Sequence, residues 1–263
     1  MRRNILRELL DAGKPSLGTR QINISPMVTE IIGRTGMFDY IELSGEYTDW
    51  SLESLANFAR AVELFPNMTS MMKVEQDPRV FITDRSLDAG IQNVLFTDCR
   101  SAAEVKECIQ SVRAETPDDK GIHGAASRRS VGYIFEGGSA AWIKAQQEVV
   151  CAFMIEKASA VENIDEILEV PGVDMIQFGP TDYSVSIGKP GTQRTPEVQN
   201  VQRMLIEKAL KKGVHPRVEL VSLDNAQQFI DMGVRHFNIG VDLRMILEWC
   251  QKNGEQMRKL LGI

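Results

Sequence analysis

Residues 149–184 read VVCAFMIEKASAVENIDEILEVPGVDMIQFGPTDYS, two short apolar runs separated by an amphipathic segment. The first run, VVCAFMIE (149–156), is apolar at every position until Glu156. The second, DMIQFGP (174–180), stops abruptly in Gly179-Pro180 and is followed by Asp182. Short continuous apolar runs are the signature of strands buried on both faces, as in parallel sheets. The segment between them, AVENIDEILEV (160–170), carries the helical period. Strand, helix and strand in so short a span form a βαβ unit with parallel strands.

The same unit recurs in both directions. SLGTRQI (16–22) is followed by Ser25-Pro26, a helix start with proline at its first position, and by a helix ending near Gly36. FDYIELSG (38–45) leads into the amphipathic WSLESLANFARAVEL (50–64). NMTSMMKV (67–74) leads to Asp77-Pro78, read as cap and first-position proline, and a helix ending at Gly90. NVLFTD (93–98) precedes a capping box at Ser101 and Glu104. Beyond the opening stretch, a Gly-rich loop follows Gly179-Pro180, and a helix runs from Thr195-Pro196 to Gly213. HPRVELV (215–221) precedes SLDNAQQFIDMG (222–233), and HFNIGVD (236–242) precedes LRMILEWCQKNGEQMRKLL (243–261). Only the crossover 116–148 is long and irregular.

Eight such units in 263 residues predict an α/β fold, a single-domain (β/α)8 TIM barrel over residues 1–263, with an amphipathic helix in front. The alternative is an open doubly wound sheet, against which stands the lack of a GxGxxG turn after the first strand. A net charge of −6 and the lack of any basic block argue against nucleic-acid binding. No apolar run reaches the length of a membrane span, and Glu8 and Asp11 interrupt what would be the apolar region of a signal peptide. Cys99, Cys108, Cys151 and Cys250 are scattered without CxxC spacing, as expected of reduced thiols in a cytoplasmic protein.

In such a barrel the active site lies where the strands end. Those ends carry Arg20 and Asn23, Ser44-Gly45-Glu46-Tyr47, Lys73 and Glu75, Glu156-Lys157, Thr181-Asp182, Glu219 and Asp242. Glu156 closes a run too apolar to tolerate a charge without a partner. Asp182 follows the next strand, and neighbouring strands lie about 4.8 Å apart. One reading is that the two carboxylates share a hard divalent ion such as Mg²⁺ or Mn²⁺. The other is that Glu156 pairs with a basic residue at the barrel mouth and Asp182 caps the following loop. Histidine ligation is disfavoured, since His215 and His236 begin their strands at the opposite end.

FMIEKASAVENIDEILEVPGVDMIQFGPTDYSVSIGKPG (153–191) resembles the signature region of the HpcH/HpaI aldolase family. These are class II, metal-dependent aldolases acting on 2-oxo acids, with the citrate lyase β subunit among their relatives. Weaker agreement extends to GMFDYIELSGE (36–46), SLDAG (86–90) and GIHG (121–124). The resemblance implies a (β/α)8 barrel with Glu156 and Asp182 as metal ligands for Mg²⁺ or Mn²⁺. The implied reaction is reversible cleavage of a 4-hydroxy-2-oxo acid to pyruvate, or a related 2-oxo acid, and an aldehyde through a metal-stabilised enolate. It also implies substrate contacts from His123 in the crossover and from the Gly179-Pro180-Thr181 turn. Family members form homo-oligomers, commonly hexamers, in which the last helix packs on a neighbour. LRMILEWC (243–250) either does this or closes its own barrel.

The chain departs from the family pattern around the reacting carbon. Where the family has Asp-Gly-Glu-His, this sequence has Ser44-Gly45-Glu46-Tyr47, so both members of the family's proton-handling dyad are replaced. Lys73 stands for an arginine that contacts the keto oxygen, a point charge in place of a bidentate fork. Met154 stands for a glutamine, while Asp88 matches an aspartate that reaches a neighbouring subunit's site. Three readings follow. The first is an aldolase whose proton is managed by Glu46, Tyr47 or Asp88. The second is a lyase or synthase acting on an oxaloacetate-like or phosphoenolpyruvate-like compound, with Arg20 holding the extra anionic group. The third is a homologue that binds without catalysis. Lys73 adds a Schiff-base alternative, disfavoured while both metal ligands are present.

Overall fold

The computed structural model describes residues 2–125 and 128–263. Eight parallel strands close into a barrel in sequence order. They are β1 (Ser16–Gln21), β2 (Tyr40–Ser44), β3 (Thr69–Val74), β4 (Asn93–Phe96), β5 (Cys151–Ile155), β6 (Met175–Phe178), β7 (His215–Leu220) and β8 (His236–Val241). The ladder aligns Arg20 with Glu42, Ser44 with Lys73, and Met154 with Gln177, so the ends singled out in the sequence gather at one rim. The eight-unit reading therefore holds, and the open sheet is excluded.

Helices alternate with the strands: α1 (Ile5–Asp11), α2 (Pro26–Arg34), α3 (Leu52–Glu63), α4 (Arg79–Ala89), α5 (Ala102–Val112), α6 (Ala140–Gln147), α7 (Ala158–Glu162), α8 (Ile164–Ile167), α9 (Pro180–Ser186), α10 (Pro196–Lys212), α11 (Ala226–Asp231) and α12 (Asp242–Leu261). Ser101 caps α5 by accepting the Glu104 N–H, while the Glu104 carboxylate reaches one residue past the cap, to the Arg100 N–H at 2.7 Å, so the expected capping box forms only in part. Three local expectations are corrected. Pro78 is the cap of α4 and not its first helical residue. The segment after Gly179 is helical at once, because Pro180 starts α9 with φ already suited to a helix and no N–H to lose. The helix expected over 160–170 breaks at Asn163 into α7 and α8.

Two apolar layers result. The larger lies between barrel and helices, and includes Ile41, Leu55, Phe58, Val94, Phe96, Phe153, Ile155 and Ile167. The smaller fills the barrel and its floor, where Leu6 and Leu10 of α1 pack with Tyr40, Met71, Leu95, Ala152, Met154 and Met175. The first helix is thus a plug. At the other end of the chain, α12 meets the barrel at β8 and β1, while Ile246, Leu247, Trp249 and Leu260 stay exposed. Among the described residues no helix is long and apolar enough to cross a membrane.

Candidate active site

Glu156 lies one residue past β5, only 3% exposed. Its Oε1 accepts the Asp98 N–H at 3.1 Å. Its Oε2 faces Gly179, where an added Cβ would come within 2.7 Å of that oxygen; glycine is what lets the turn after β6 approach the carboxylate. Burial pushes the Glu156 carboxyl up to about 7, against the pull of the Lys73 ammonium. Asp182, in the first turn of α9, is half exposed. Lys157 spans to it, with Nζ 2.6 Å from Asp98 Oδ1 and 3.7 Å from Asp182 Oδ1.

This arrangement fits a divalent cation. A buried carboxylate with one oxygen unclaimed among the described residues, held at raised pKa by lack of solvent, gains most from a cation beside it. An oxygen-only donor pair suits hard ions. Among the described residues no three His, Cys, Asp or Glu side chains converge as a metal cluster. Glu156 and Asp182 are the two side chains that could hold the ion, leaving its other positions to ligands from elsewhere.

Beside them lies a second group. Lys73, at the end of β3 and almost fully buried, pairs with Glu46 Oε2 at 2.5 Å and donates to the Tyr47 hydroxyl at 3.3 Å. Glu46 and Tyr47 come from the 3₁₀ turn Gly45–Tyr47 that ends β2. Gly45 permits the approach, since a Cβ there would meet the Lys73 carbonyl at 2.6 Å. Burial alone would push the Lys73 ammonium down, but Glu46 and Tyr47 outweigh it and hold the group well above its ordinary value. Burial raises the Tyr47 phenol, with Lys73 opposing, so it keeps its proton.

The barrel interior also holds a charged network that the sequence reading did not single out as a unit. Arg217 of β7, fully buried, donates from Nε to the Tyr40 hydroxyl at 2.7 Å and from its two terminal nitrogens to Gln177 and Glu42. Gln177 donates on to Glu219 Oε2 at 3.2 Å, and Arg20 Nη1 lies 3.1 Å from Glu219 Oε1. Burial alone would raise the Glu42 carboxyl, but Arg217, then Arg20 and Lys73, keep it below its ordinary value. The available signal was charge inside two strand runs, Glu42 in YIELS and Arg217 with Glu219 in HPRVEL, which demands buried partners. Arg20 thus stands at the rim as expected, already joined to Glu219.

The remaining candidates divide. Pro180 and Thr181 start α9 beside Glu156 and Asp182. Asp88 and His123 do not meet the strand ends of their own chain. Asp88, near the end of α4, pairs with Arg85 at 2.9 Å and Arg128 at 3.4 Å. His123 is buried in the crossover, with Nδ1 3.0 Å from Asp84 and its ring stacked on Trp142. His215 and His236 sit at the strand starts, hydrogen-bonded to each other at 3.2 Å. Asp242 pins the loop after β1, accepting the Ile22 and Asn23 N–H groups at 3.0 and 2.8 Å.

Comparison with known proteins bears on this geometry. The model of the HpcH/HpaI aldolase/citrate lyase family matches residues 54–248. A 4-hydroxy-2-oxo-heptane-1,7-dioate aldolase from Shigella boydii serotype 18 (strain CDC 3083-94 / BS512) is 25% identical over 248 residues, spanning 92% of this chain and 90% of the relative. Among solved structures, an HpcH/HpaI aldolase/citrate lyase family protein from Burkholderia cenocepacia J2315 superposes with a TM-score of 0.88 at 22% identity, covering 97% of this chain and 100% of that one. The citrate synthase SbnG superposes with a TM-score of 0.80 at 20% identity, covering 98% and 99%. Structural likeness at such identities speaks to the fold; the family match speaks to more. The chain belongs to the HpcH/HpaI aldolase/citrate lyase family and is, at that level, a metal-dependent aldolase, a carbon–carbon lyase.

Proposed function

We propose that the protein cleaves a 4-hydroxy-2-oxo acid to pyruvate, or a closely related 2-oxo acid, and an aldehyde. The observation that carries this reading is the Lys73–Glu46 pair, 2.5 Å apart, beside the buried Glu156. A Mg²⁺ or Mn²⁺ ion held by Glu156 and Asp182 would supply Lewis-acid stabilisation of the charge that develops on the 2-oxo acid oxygen. Lys73 adds a fixed positive charge on the same side of the site. Locked as an ammonium, it has no lone pair to attack a ketone, which supports the non-covalent route over a Schiff base.

Proton handling falls to Glu46. Lys73 and Tyr47 both carry their protons, so neither takes another; the carboxylate does. In the cleavage direction Glu46 accepts the proton of the 4-hydroxyl, whose O–H electrons become the second bond of the aldehyde carbonyl. The C3–C4 bond breaks and its electron pair goes to the 2-oxo acid fragment. The same proton then returns to C3 as the methyl group forms. Tyr47, half exposed, orients the pair through its contact with Lys73.

The direct test is exchange of pyruvate methyl protons in D₂O. Exchange supported by Mg²⁺ or Mn²⁺ and abolished by EDTA and by Glu156→Ala is expected. No turnover across a panel of 2-oxo acids and aldehydes, with metal binding intact, would leave a binding homologue. A second reading, bond formation on an oxaloacetate-like or phosphoenolpyruvate-like compound, is favoured by Arg20. It stands at the rim with its Nε buried and without a protein partner among the described residues.

The proposal extends to the assembly and its setting. The uncovered apolar side chains of α12 support a single-barrel subunit whose last helix is exchanged with a neighbour in a homo-oligomer, a hexamer by family resemblance. In that assembly Asp88 is the residue assigned to a neighbouring site. Four free cysteines, three of them buried, support a cytoplasmic location.

A further inference from the structure

Lys157 follows Glu156 directly and caps α7 with its backbone alone, so its side chain has no capping role. That side chain turns back across the strand ends to lie 2.6 Å from Asp98 and 3.7 Å from Asp182. Asp98 is tied to the same point by its backbone, whose N–H holds Glu156 Oε1. That N–H is aimed by φ of +56°, a left-handed conformation that non-glycine residues seldom adopt. Two carboxylates, those of Asp98 and Asp182, thus flank one ammonium.

We propose that Lys157 is a resident cation that sets the ligand number and affinity of the metal centre. It holds Asp98 as an ion pair, outside the coordination set, and opposes the divalent ion at Asp182. The ion is then held by two carboxylates, and its remaining positions stay open to a chelating substrate. Without Lys157 the same backbone presents a third oxygen donor, and hard-cation affinity rises with the number of charged ligands. Lys157 acts through Asp98 and Asp182 and touches neither substrate nor reacting atoms, so it is a positioning residue. The inference rests on the reading of Glu156 and Asp182 as the metal ligands.

Mn²⁺ binding to the full chain, measured by calorimetric titration and by the free-ion electron paramagnetic resonance signal, tests it without substrate. Lys157→Met and Lys157→Gln are expected to bind Mn²⁺ at least about tenfold more tightly, from loss of a like charge and gain of a ligand. Lys157→Arg should stay close to wild type. Adding Asp98→Asn to Lys157→Met should return the affinity toward wild type. Glu156→Ala is the control: if it binds Mn²⁺ as wild type does, the metal reading itself fails. If Glu156→Ala loses binding while folded Lys157→Met and Lys157→Gln bind no more tightly than wild type, only the Lys157 inference is overturned. Lys157 would then be an ion pair that fastens a loop.

Discussion

The two sides of the barrel interior are built on opposite principles. Across β3, β4 and β5 the middle layer of the inner wall is apolar, with Met71, Leu95, Ala152 and Met154 packed together above the α1 plug, between Thr69 and Asn93 at the floor and Lys73 at the mouth. Across β7, β8 and β1 it is polar: Arg217 and Glu219, then His236 and Asn238, then Arg20. β2 and β6 form the seams, each carrying one residue of either kind, Tyr40 with Glu42 and Met175 with Gln177. The apolar wall is held by area removed from water, which tolerates a change of shape at a graded cost. The polar wall is held by pairing. There a change that strands one partner costs far more than the pair itself contributes.

The sharpest way to break this contrast is Arg217→Met, which strips the buried Glu42 carboxylate of its hydrogen-bonded cation and leaves only the weaker pull of Arg20 and Lys73. It should cost roughly 3–5 kcal/mol in urea unfolding. The double variant Arg217→Met with Glu42→Leu should recover most of that loss, since no charge is then stranded. A double variant as unstable as the single one would show that the wall depends on its shape and not on its pairing.

On the apolar side, Leu95→Ala removes a fully buried side chain and should cost about 2–4 kcal/mol. Here no second substitution by a charged partner would help, and Leu95→Met should cost under about 1.5 kcal/mol. A large loss with methionine would mean that this wall is as specific as the polar one.

The smallest effect belongs to the strand starts. Burial, and then His215, push His236 down from 6.5 to about 4. Above pH 6.5 the ring is neutral whether the chain is folded or not. As the pH falls from there toward 4 the unfolded chain takes up a proton that the folded one refuses, and stability is lost. The loss should reach roughly 1–2 kcal/mol by pH 5. The unfolding midpoint followed from pH 7 to pH 5 should therefore fall less steeply in His236→Asn than in wild type. Equal slopes would remove His236 from the account.

What could be read from the sequence follows the same division. Apolar runs with capping signals between them announced the barrel, because both faces of each strand are dry and the helices repeat between them. Glu156 stood out because a carboxylate at the end of CAFMI is costly without a partner, and Gly179-Pro180 marked the turn that brings Asp182 beside it. Arg217, Glu42 and Gln177 were visible only as isolated polar letters in strands. Their partners are 40 and 175 residues away in sequence, and no local period encodes such a distance.

The sequence by itself determined the eight strand–helix units and which strand ends gather at one rim, since these follow from short-range periodicity; it offered Glu156 and Asp182 as candidates, and the family resemblance is what reads them as metal ligands. Barrel closure decided the rest. It set Lys73 against Glu46 so that the lysine remains a cation, split the interior into an apolar and an ionic wall, and swung Lys157 onto Asp98. These outcomes depend on which strand ends become neighbours and at what distance, and electrostatic interaction in a dry interior depends steeply on that distance.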